Sequence, residues 1–174
     1  MRIAFVVPRY GARIVGGAET LARSFAEHLP SDRFDVEVLT TCAVDHHRWA
    51  NVLPAGEERA GGVTVRRFPV SARNVGEFLA VQQRISARLA VDLEEELAWI
   101  AGSVNSEDLY GHLEAEQGRY DALLFLPYLF GTTLIGSQID RHRSVLIPCL
   151  HDEPFAYTRV VDHLFRSVRG ILFN

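Results

Sequence analysis

The chain has 174 residues, of which 48% are hydrophobic and 23% charged, an ordinary balance for one globular domain. Its formal net charge of −4 argues against a general nucleic-acid-binding protein, because neutralising phosphates requires clustered positive charge. All 18 basic residues are arginines, so neither a Walker lysine nor a Schiff-base lysine is available. No long apolar run and no secretory signal is evident, so we expect a cytoplasmic protein without a transmembrane segment.

Short apolar runs alternate with helical periodicities along the chain, which is typical of a parallel sheet with crossover helices. Residues 3–7 predict a first strand that is buried on both faces. Residues 17–29 predict a helix, and residues 34–41 predict the second strand. The apolar residues of that helix stand four apart, at Leu21, Phe25 and Leu29.

The middle of the chain is less regular. Residues 42–61 are expected to be irregular, with Trp49 and Leu53 as anchors. Residues 63–70 predict a third strand, whose alternation indicates an edge or half-exposed position. One long amphipathic helix is predicted over residues 76–100. Its apolar residues also stand at steps of four, at Val81, Ile85, Leu89, Leu93 and Leu97.

In the last third of the chain, Ser106 is the predicted N-cap of a short helix that runs through Glu116. Further helices are predicted over residues 131–140 and 155–168, and further strands over 121–127, 144–150 and 170–174. This order of elements predicts a Rossmann-like three-layer α/β/α sandwich with a mostly parallel sheet. Because a natural domain rarely ends in an apolar strand, we expect the protein to continue beyond Asn174.

Ligands of doubly wound sheets bind at the carboxyl ends of the strands, and four segments are expected to reach that edge. The first is a glycine-bearing turn from Arg9-Tyr10-Gly11 to Gly16-Gly17-Ala18-Glu19, which enters a helix whose free N–H groups suit an anion. The spacing of its glycines does not match the dinucleotide fingerprint G-x-G-x-x-G. A purely structural role for these glycines stays an open alternative.

The other three segments are shorter. Tyr128 and Thr132 flank the start of a predicted helix, where a hydroxyl can cap the helix or contact a phosphate. His151-Asp152-Glu153-Pro154 follows a buried strand, and histidine can donate, accept or shuttle a proton near neutral pH. Arg73 follows the third strand and either holds an anionic acceptor or is solvated. No metal site and no activated nucleophile is evident, which argues against a hydrolase.

In this order, several segments resemble the N-terminal domain of retaining glycosyltransferases of the GT-B fold (family 4-like, group 1), the large group that includes sucrose-phosphate and mannosyl transferases. The resemblance covers essentially the whole chain. The segments that carry it are Pro8-Arg9-Tyr10, Gly16-Gly17-Ala18-Glu19, Leu39-Thr40-Thr41-Cys42-Ala43, Gly62-Val63-Thr64-Val65-Arg66-Arg67-Phe68-Pro69-Val70, His151-Asp152-Glu153-Pro154 and Gly170-Ile171-Leu172-Phe173-Asn174.

The resemblance implies an enzyme that moves a sugar from a nucleotide-diphosphate sugar to a glycan, lipid or small-molecule acceptor. Residues 1–174 would be its acceptor-side domain, inactive alone, and a C-terminal domain of the same protein would hold the donor. Gly16 and Gly17 would bring backbone amides to the donor diphosphate. His151 and Asp152 are the candidate catalytic residues: His151 would face the transferred sugar, and Asp152 would position His151 or the loop. The other candidate substrate-binding residues are Arg9, Tyr10, Glu19, Arg73, Tyr128 and Thr132.

The resemblance implies no metal and no cofactor besides the donor, because helix dipoles and basic side chains stabilise the leaving diphosphate. Neither a nucleic-acid partner nor a membrane span is expected, whereas peripheral contact with a membrane stays open. Acidic residues in the 76–100 segment make it a packed helix rather than a membrane-docking one. Two alternatives are a free-standing flavodoxin-like small-molecule binding module and a sugar-nucleotide epimerase of the same two-domain shape.

Overall fold

A computed structural model describes residues 1–174 as a seven-stranded sheet flanked by helices, which confirms the predicted fold class. The strands are β1 (Arg2–Val6), β2 (Asp35–Thr41), β3 (Gly56–Ala60), β4 (Val63–Phe68), β5 (Ala122–Phe125), β6 (Ser144–Leu146) and β7 (Gly170–Ile171). The helices are α1 (Gly17–His28), α2 (Val75–Ser86), α3 (Leu93–Gly102), α4 (Glu107–Ala115), α5 (Gly131–Leu134), α6 (Gly136–Ile139) and α7 (Arg159–Ser167), and a 3₁₀ turn spans Pro154–Tyr157.

The strand order places β1 near the centre of the sheet. The order is β3-β4-β2-β1-β5-β6-β7, and every neighbouring pair is parallel except β3 with β4. Without β3, the parallel strands follow the order 3-2-1-4-5-6 of doubly wound Rossmann folds. The direction of winding therefore reverses between β1 and β5, where Ile3 is the register partner of Ala122.

Both faces of the sheet are packed. Consecutive residues of β2 point to opposite faces, as the pleat of a strand requires. Leu39 belongs to the larger core cluster, together with Trp99 of α3 and Leu164 of α7. Val38 belongs to a second cluster, which α1 joins through Ala22. The sheet is therefore the middle of three layers.

The buried face of α1 differs from the prediction. Ala22 and Ala26 are the apolar residues buried against the sheet, whereas Phe25 is 42% exposed. Leu21 and Leu29 are only partly buried. Small side chains let the helix lie close to the strands, so the large residues of the predicted face are displaced to its flanks.

Residues 56–60 form a strand where the sequence predicts irregular structure. Gly61 and Gly62, with φ of 59° and 83°, make the two-residue turn that joins β3 to β4. Such a hairpin turn requires left-handed backbone at both positions, which glycine adopts without strain. β3 occupies the edge of the sheet, so an edge position for β4 is wrong, although its alternating burial agrees with a half-exposed strand.

The single helix predicted over residues 76–100 is wrong, because α2 and α3 are separate. Arg88 lies between them with a φ of 56°. Asp92 accepts a hydrogen bond from the Glu95 N–H at 2.9 Å, and the Glu95 carboxylate accepts one from the Asp92 N–H at 2.9 Å. This capping box supplies hydrogen-bond partners at the start of a new helix. Three leucines of the predicted apolar face are about half exposed: Leu89, Leu93 and Leu97.

Two later predicted helices are each replaced by two shorter elements. α5 and α6 replace the helix predicted over residues 131–140. The 3₁₀ turn and α7 replace the one predicted over 155–168, because Thr158 is extended between them. The predicted cap of α4 is confirmed, since the Ser106 hydroxyl accepts a hydrogen bond from the Leu109 N–H at 3.2 Å.

Candidate functional site

A cavity of about 490 Å³ opens at the carboxyl ends of β1, β5 and β6. Its walls come from the start of α1, the loops after β5 and β6 and the last residue: Gly17, Ala18, Leu21, Pro127, Tyr128, Leu129, Phe130, Cys149, Leu150, His151, Glu153 and Asn174. It lies where the winding direction reverses between β1 and β5, which is where ligands of doubly wound sheets bind. We call it the switch-point cavity.

The first turn of α1 has no side-chain cap. Gly16 precedes this helix and supplies no side-chain hydrogen bond, whereas Asn74, Asp92 and Ser106 cap α2, α3 and α4. The N–H groups of a first helical turn carry partial positive charge and suit an anion. Gly17 lines the cavity, and a Cβ atom at that position would have no neighbour within 4 Å. A ligand can therefore approach this backbone closely.

Gly16 makes room for a buried ion pair rather than for the cavity. Arg9 Nη2 donates a hydrogen bond to Glu19 Oε1 at 2.5 Å, and both side chains are less than one-tenth exposed. A Cβ atom at Gly16 would stand 2.1 Å from Glu19 Oε2 and 3.3 Å from Arg9 Nη2. Any larger residue at this position would push against the pair, which ties the loop after β1 to the first turn of α1.

One hydrogen-bond donor of the Arg9 guanidinium has no partner. Its Nη1 donates to the Val44 carbonyl at 3.3 Å, and its Cζ lies 5.7 Å from the centre of the Trp49 ring. Its buried Nε has no hydrogen-bond partner, which is uncommon in native proteins. Neither Arg9 nor Glu19 lines the switch-point cavity. Both would influence a ligand through the position of α1, not by direct contact.

Tyr128 and Glu153 form a hydrogen-bonded pair in the cavity wall. The Tyr128 hydroxyl donates to Glu153 Oε1 at 2.5 Å. Burial raises the pKa of the Tyr128 phenol, and the Glu153 carboxylate raises it further, so the phenol keeps its proton. Glu153 belongs to a segment that the sequence predicts at this edge, but the sequence did not single it out as a site residue. The signal for it was its place directly after a buried strand, which it shares with His151 and Asp152.

Cys149 and Asn174 are two further wall residues that sequence reasoning missed. The Cys149 N–H donates to Asn174 Oδ1 at 3.1 Å. Cys149 has a φ of 49°, and a non-glycine residue in this region is strained by roughly 1–3 kcal/mol. Burial raises the pKa of its thiol. Local sequence carries no signal for this contact, since it depends on the pairing of β6 with β7.

His151 stands between the switch-point cavity and a larger one of about 680 Å³. Its side chain is exposed and lines both. Asp152 lines only the larger cavity, where it accepts a hydrogen bond from the Tyr157 hydroxyl at 2.9 Å. Size alone favours the larger cavity as the main site. We assign that role to the switch-point cavity, because the fold itself fixes a ligand position there.

Three other candidates lie outside both cavities. Tyr10 is buried, with its hydroxyl 3.5 Å from Glu27 Oε1, and burial together with that carboxylate raises its pKa to about 12. Arg73 Nε donates to the Gly102 carbonyl at 3.0 Å and so secures the end of α3. Thr132 is buried, and its hydroxyl has no hydrogen-bond partner. The structure does not bring these three side chains to the switch-point cavity.

No protein-family model and no curated protein matches this sequence. None of the helices is both long and apolar enough to cross a lipid bilayer. No three side chains of His, Cys, Asp or Glu gather as a metal site requires. The functional interpretation therefore depends on the geometry of the sheet edge.

That geometry combines two chemical capacities. The start of α1 offers unpaired amides to an anion at Gly17. His151 lines the same cavity and offers an exposed imidazole that can form hydrogen bonds to hydroxyl groups. A ligand with an anionic centre and a neighbouring hydroxylated ring fits both.

Proposed function

We propose that this chain is the acceptor-side domain of a GT-B glycosyltransferase, which moves a sugar from a nucleotide-diphosphate sugar to an acceptor. One observation carries the proposal: the cavity at the switch point of the sheet joins the uncapped start of α1 to His151. The donor diphosphate would lie against Gly17 and the transferred sugar against His151. A second domain of the same protein would make most of the contacts to the donor, so we expect the 174-residue chain alone to bind it weakly, with a Kd of about 1 mM.

The proposed reaction exchanges one bond to the anomeric carbon for another. The bond from this carbon to the diphosphate oxygen breaks, and an oxygen of an acceptor hydroxyl forms the new bond. The proton of that hydroxyl passes to the departing nucleoside diphosphate. Negative charge grows on the diphosphate as it leaves, and the free amides at Gly17 stabilise that charge. His151 would hydrogen-bond to the transferred sugar while Asp152 positions the loop.

The strand order distinguishes this proposal from a flavodoxin-like binding module. Flavodoxin-like sheets have the order 2-1-3-4-5, whereas the parallel strands here follow 3-2-1-4-5-6. A sugar-nucleotide epimerase of the same two-domain shape would use the same cavity. It would convert the nucleotide sugar without consuming an acceptor, so analysis of the products formed by the two-domain protein separates the two enzymes.

Calorimetric titration of the 174-residue chain with UDP-glucose, GDP-mannose and ADP-glucose tests the proposal. The Gly17→Val variant fills the open space in front of the helix amides. Its matched control, Gly111→Val, puts the same side chain on the exposed side of α4, where a Cβ atom also has no neighbour within 4 Å. We expect Gly17→Val to weaken binding of the preferred nucleotide sugar at least about tenfold, and Gly111→Val to leave it unchanged.

Two outcomes would count against the proposal. One is that none of the three nucleotide sugars binds, even at concentrations of about 10 mM. The other is that the preferred one binds equally well to the unmodified chain and to Gly17→Val.

A further inference from the structure

The larger cavity beside α7 continues away from the switch point. It shares Leu150 and His151 with the switch-point cavity. On its other side it shares Tyr157, Thr158 and Arg159 with a third cavity of about 330 Å³. We call these two cavities, of about 680 and 330 Å³, the α7 trough. It leads from His151 to the segment between α2 and α3.

The part of the trough next to His151 has the chemistry of a sugar-binding site. Val161 and Phe165 give it an apolar wall, and Asp152 places an exposed carboxylate beside that wall. Tyr157 is held there by its hydrogen bond to Asp152. Apolar and aromatic side chains pack against the C–H face of a sugar ring, and a carboxylate accepts hydrogen bonds from its hydroxyls.

The far end of the trough presents an arginine in an unusual backbone conformation. Arg88 follows the end of α2 with a φ of 56°, in a place where helices usually have glycine. Non-glycine residues held in this region cluster at functional sites. The chain therefore has a long cationic side chain where a glycine would suit the backbone better.

The charge of Arg88 is also uncompensated. Arg88 takes part in none of the ion pairs of the chain. In the same cavity, Glu96 is paired with Arg159 at 3.8 Å. Arg88 lines the same cavity as Tyr157, which also lines the larger cavity of the trough. A free guanidinium in a cavity suits a phosphate or carboxylate.

We infer that the α7 trough binds the sugar acceptor, and that this acceptor is a hexose-sized molecule carrying an anionic group. Its ring lies beside Asp152 and its anionic group meets Arg88. A free hydroxyl of the ring then faces His151 and the switch-point cavity, where the donor sugar would lie. The role of this ligand as an acceptor rests on the proposed function, whereas its binding to the α7 trough does not.

Calorimetric titration of the chain with glucose 6-phosphate, glucuronate, glucose and inorganic phosphate tests this inference. Arg88→Gly removes the guanidinium, and glycine fits the left-handed backbone, so we expect its melting temperature to equal or exceed that of the unmodified chain. The control is Arg141→Ala, which removes another exposed arginine that forms no ion pair and lines neither cavity of the trough.

We expect glucose 6-phosphate to bind at least about tenfold more tightly than glucose. Arg88→Gly should reduce its affinity to that of glucose, and Arg141→Ala should not change it. The glucuronate titration distinguishes a phosphate from a carboxylate as the preferred anionic group. Three results would overturn the inference: neither glucose 6-phosphate nor glucuronate binds, the tighter of the two binds equally well to Arg88→Gly, or it binds no more tightly than inorganic phosphate.

This outcome is separable from that of the proposed function. If nucleotide sugars bind in a Gly17-dependent manner but glucose 6-phosphate and glucuronate do not bind, only the assignment of the trough fails. If an anionic hexose binds through Arg88 but nucleotide sugars do not bind, only the transferase proposal fails.

Discussion

Glu37 and Glu19 are both buried carboxylates paired with arginine, yet their surroundings differ. Glu37 lies within the sheet and accepts hydrogen bonds from the Tyr120 hydroxyl at 2.7 Å, Arg66 Nε at 3.1 Å and Arg2 Nη2 at 3.3 Å. Three donors leave little of this carboxylate unsatisfied. The cluster joins β1, β2 and β4 through side chains as well as through the backbone.

Glu19, at the carboxyl edge, has a single hydrogen-bonding partner in Arg9. The Nε of Arg9 is buried without a partner. A buried network that is only partly satisfied is costly to the fold. The two clusters therefore differ in the number of donors to the carboxylate, three at Glu37 and one at Glu19. Each also contains one arginine whose buried Nε has no hydrogen-bond partner, Arg2 in the first and Arg9 in the second.

The largest effect is expected at the Glu37 cluster. Glu37→Ala removes the acceptor of three donors and should lower the free energy of unfolding by about 3–5 kcal/mol, as breaking a buried ion pair does. Urea denaturation measures this loss. Glu57→Ala is the matched control, because Glu57 pairs with Arg66 at 2.8 Å but has a side chain that is 53% exposed. The control should cost less than about 1 kcal/mol. Equal losses in the two variants would contradict the claim that the buried Glu37 cluster stabilises the fold more than the exposed Glu57–Arg66 pair.

At the Arg9–Glu19 pair, we expect a second substitution to recover most of the stability that the first one costs. Glu19→Leu leaves the Arg9 guanidinium buried and unpaired, and should cost about 2–3 kcal/mol. The double variant Arg9→Met/Glu19→Leu removes both charges and should recover most of that loss, because an apolar pair of similar volume needs no hydrogen bonds. A double-mutant cycle based on urea denaturation measures the coupling. A double variant no more stable than Glu19→Leu would contradict this view of the pair.

Lowering the pH should have a smaller effect on the free energy of unfolding. Burial raises the pKa of Glu37, but the hydrogen bonds from Tyr120 and Arg66 outweigh burial and lower the pKa below its ordinary value of 4.5. The stabilisation is therefore complete above the pKa of the unfolded chain and is lost as the pH falls through the lower folded pKa. We expect the stability difference between the unmodified chain and Glu37→Gln to shrink below pH 4.5. A difference that stays constant down to about pH 3 would contradict this assignment.

Much of the fold could be predicted from the sequence, because its strands are short apolar runs between helical periodicities. The hairpin of β3 was missed because its strand is mostly polar, although Gly61-Gly62 marks the turn. The α2–α3 break was missed because the leucines continue at steps of four through it. The capping box of Asp92 and Glu95 was the local signal for the break.

The candidate site could be predicted in part. Gly17, Tyr128 and His151 line the switch-point cavity because each follows a parallel strand, and strand ends can be located from apolar runs. Tyr10 and Arg73 also follow strands, but their side chains turn into the protein. The direction of a side chain in a loop depends on its tertiary neighbours, which local sequence does not reveal.

The most direct test of the central claim is a map of where a nucleotide sugar contacts the chain. The amide resonances of an isotope-labelled sample would be followed by NMR during titration with the nucleotide sugar that binds best by calorimetry. We expect the largest shifts at Gly17, Ala18 and His151, with Gly111 on α4 unmoved. Shifts confined to residues away from the switch-point cavity, or no shifts at saturating ligand, would contradict the claim that this cavity is the donor end of a glycosyltransferase site.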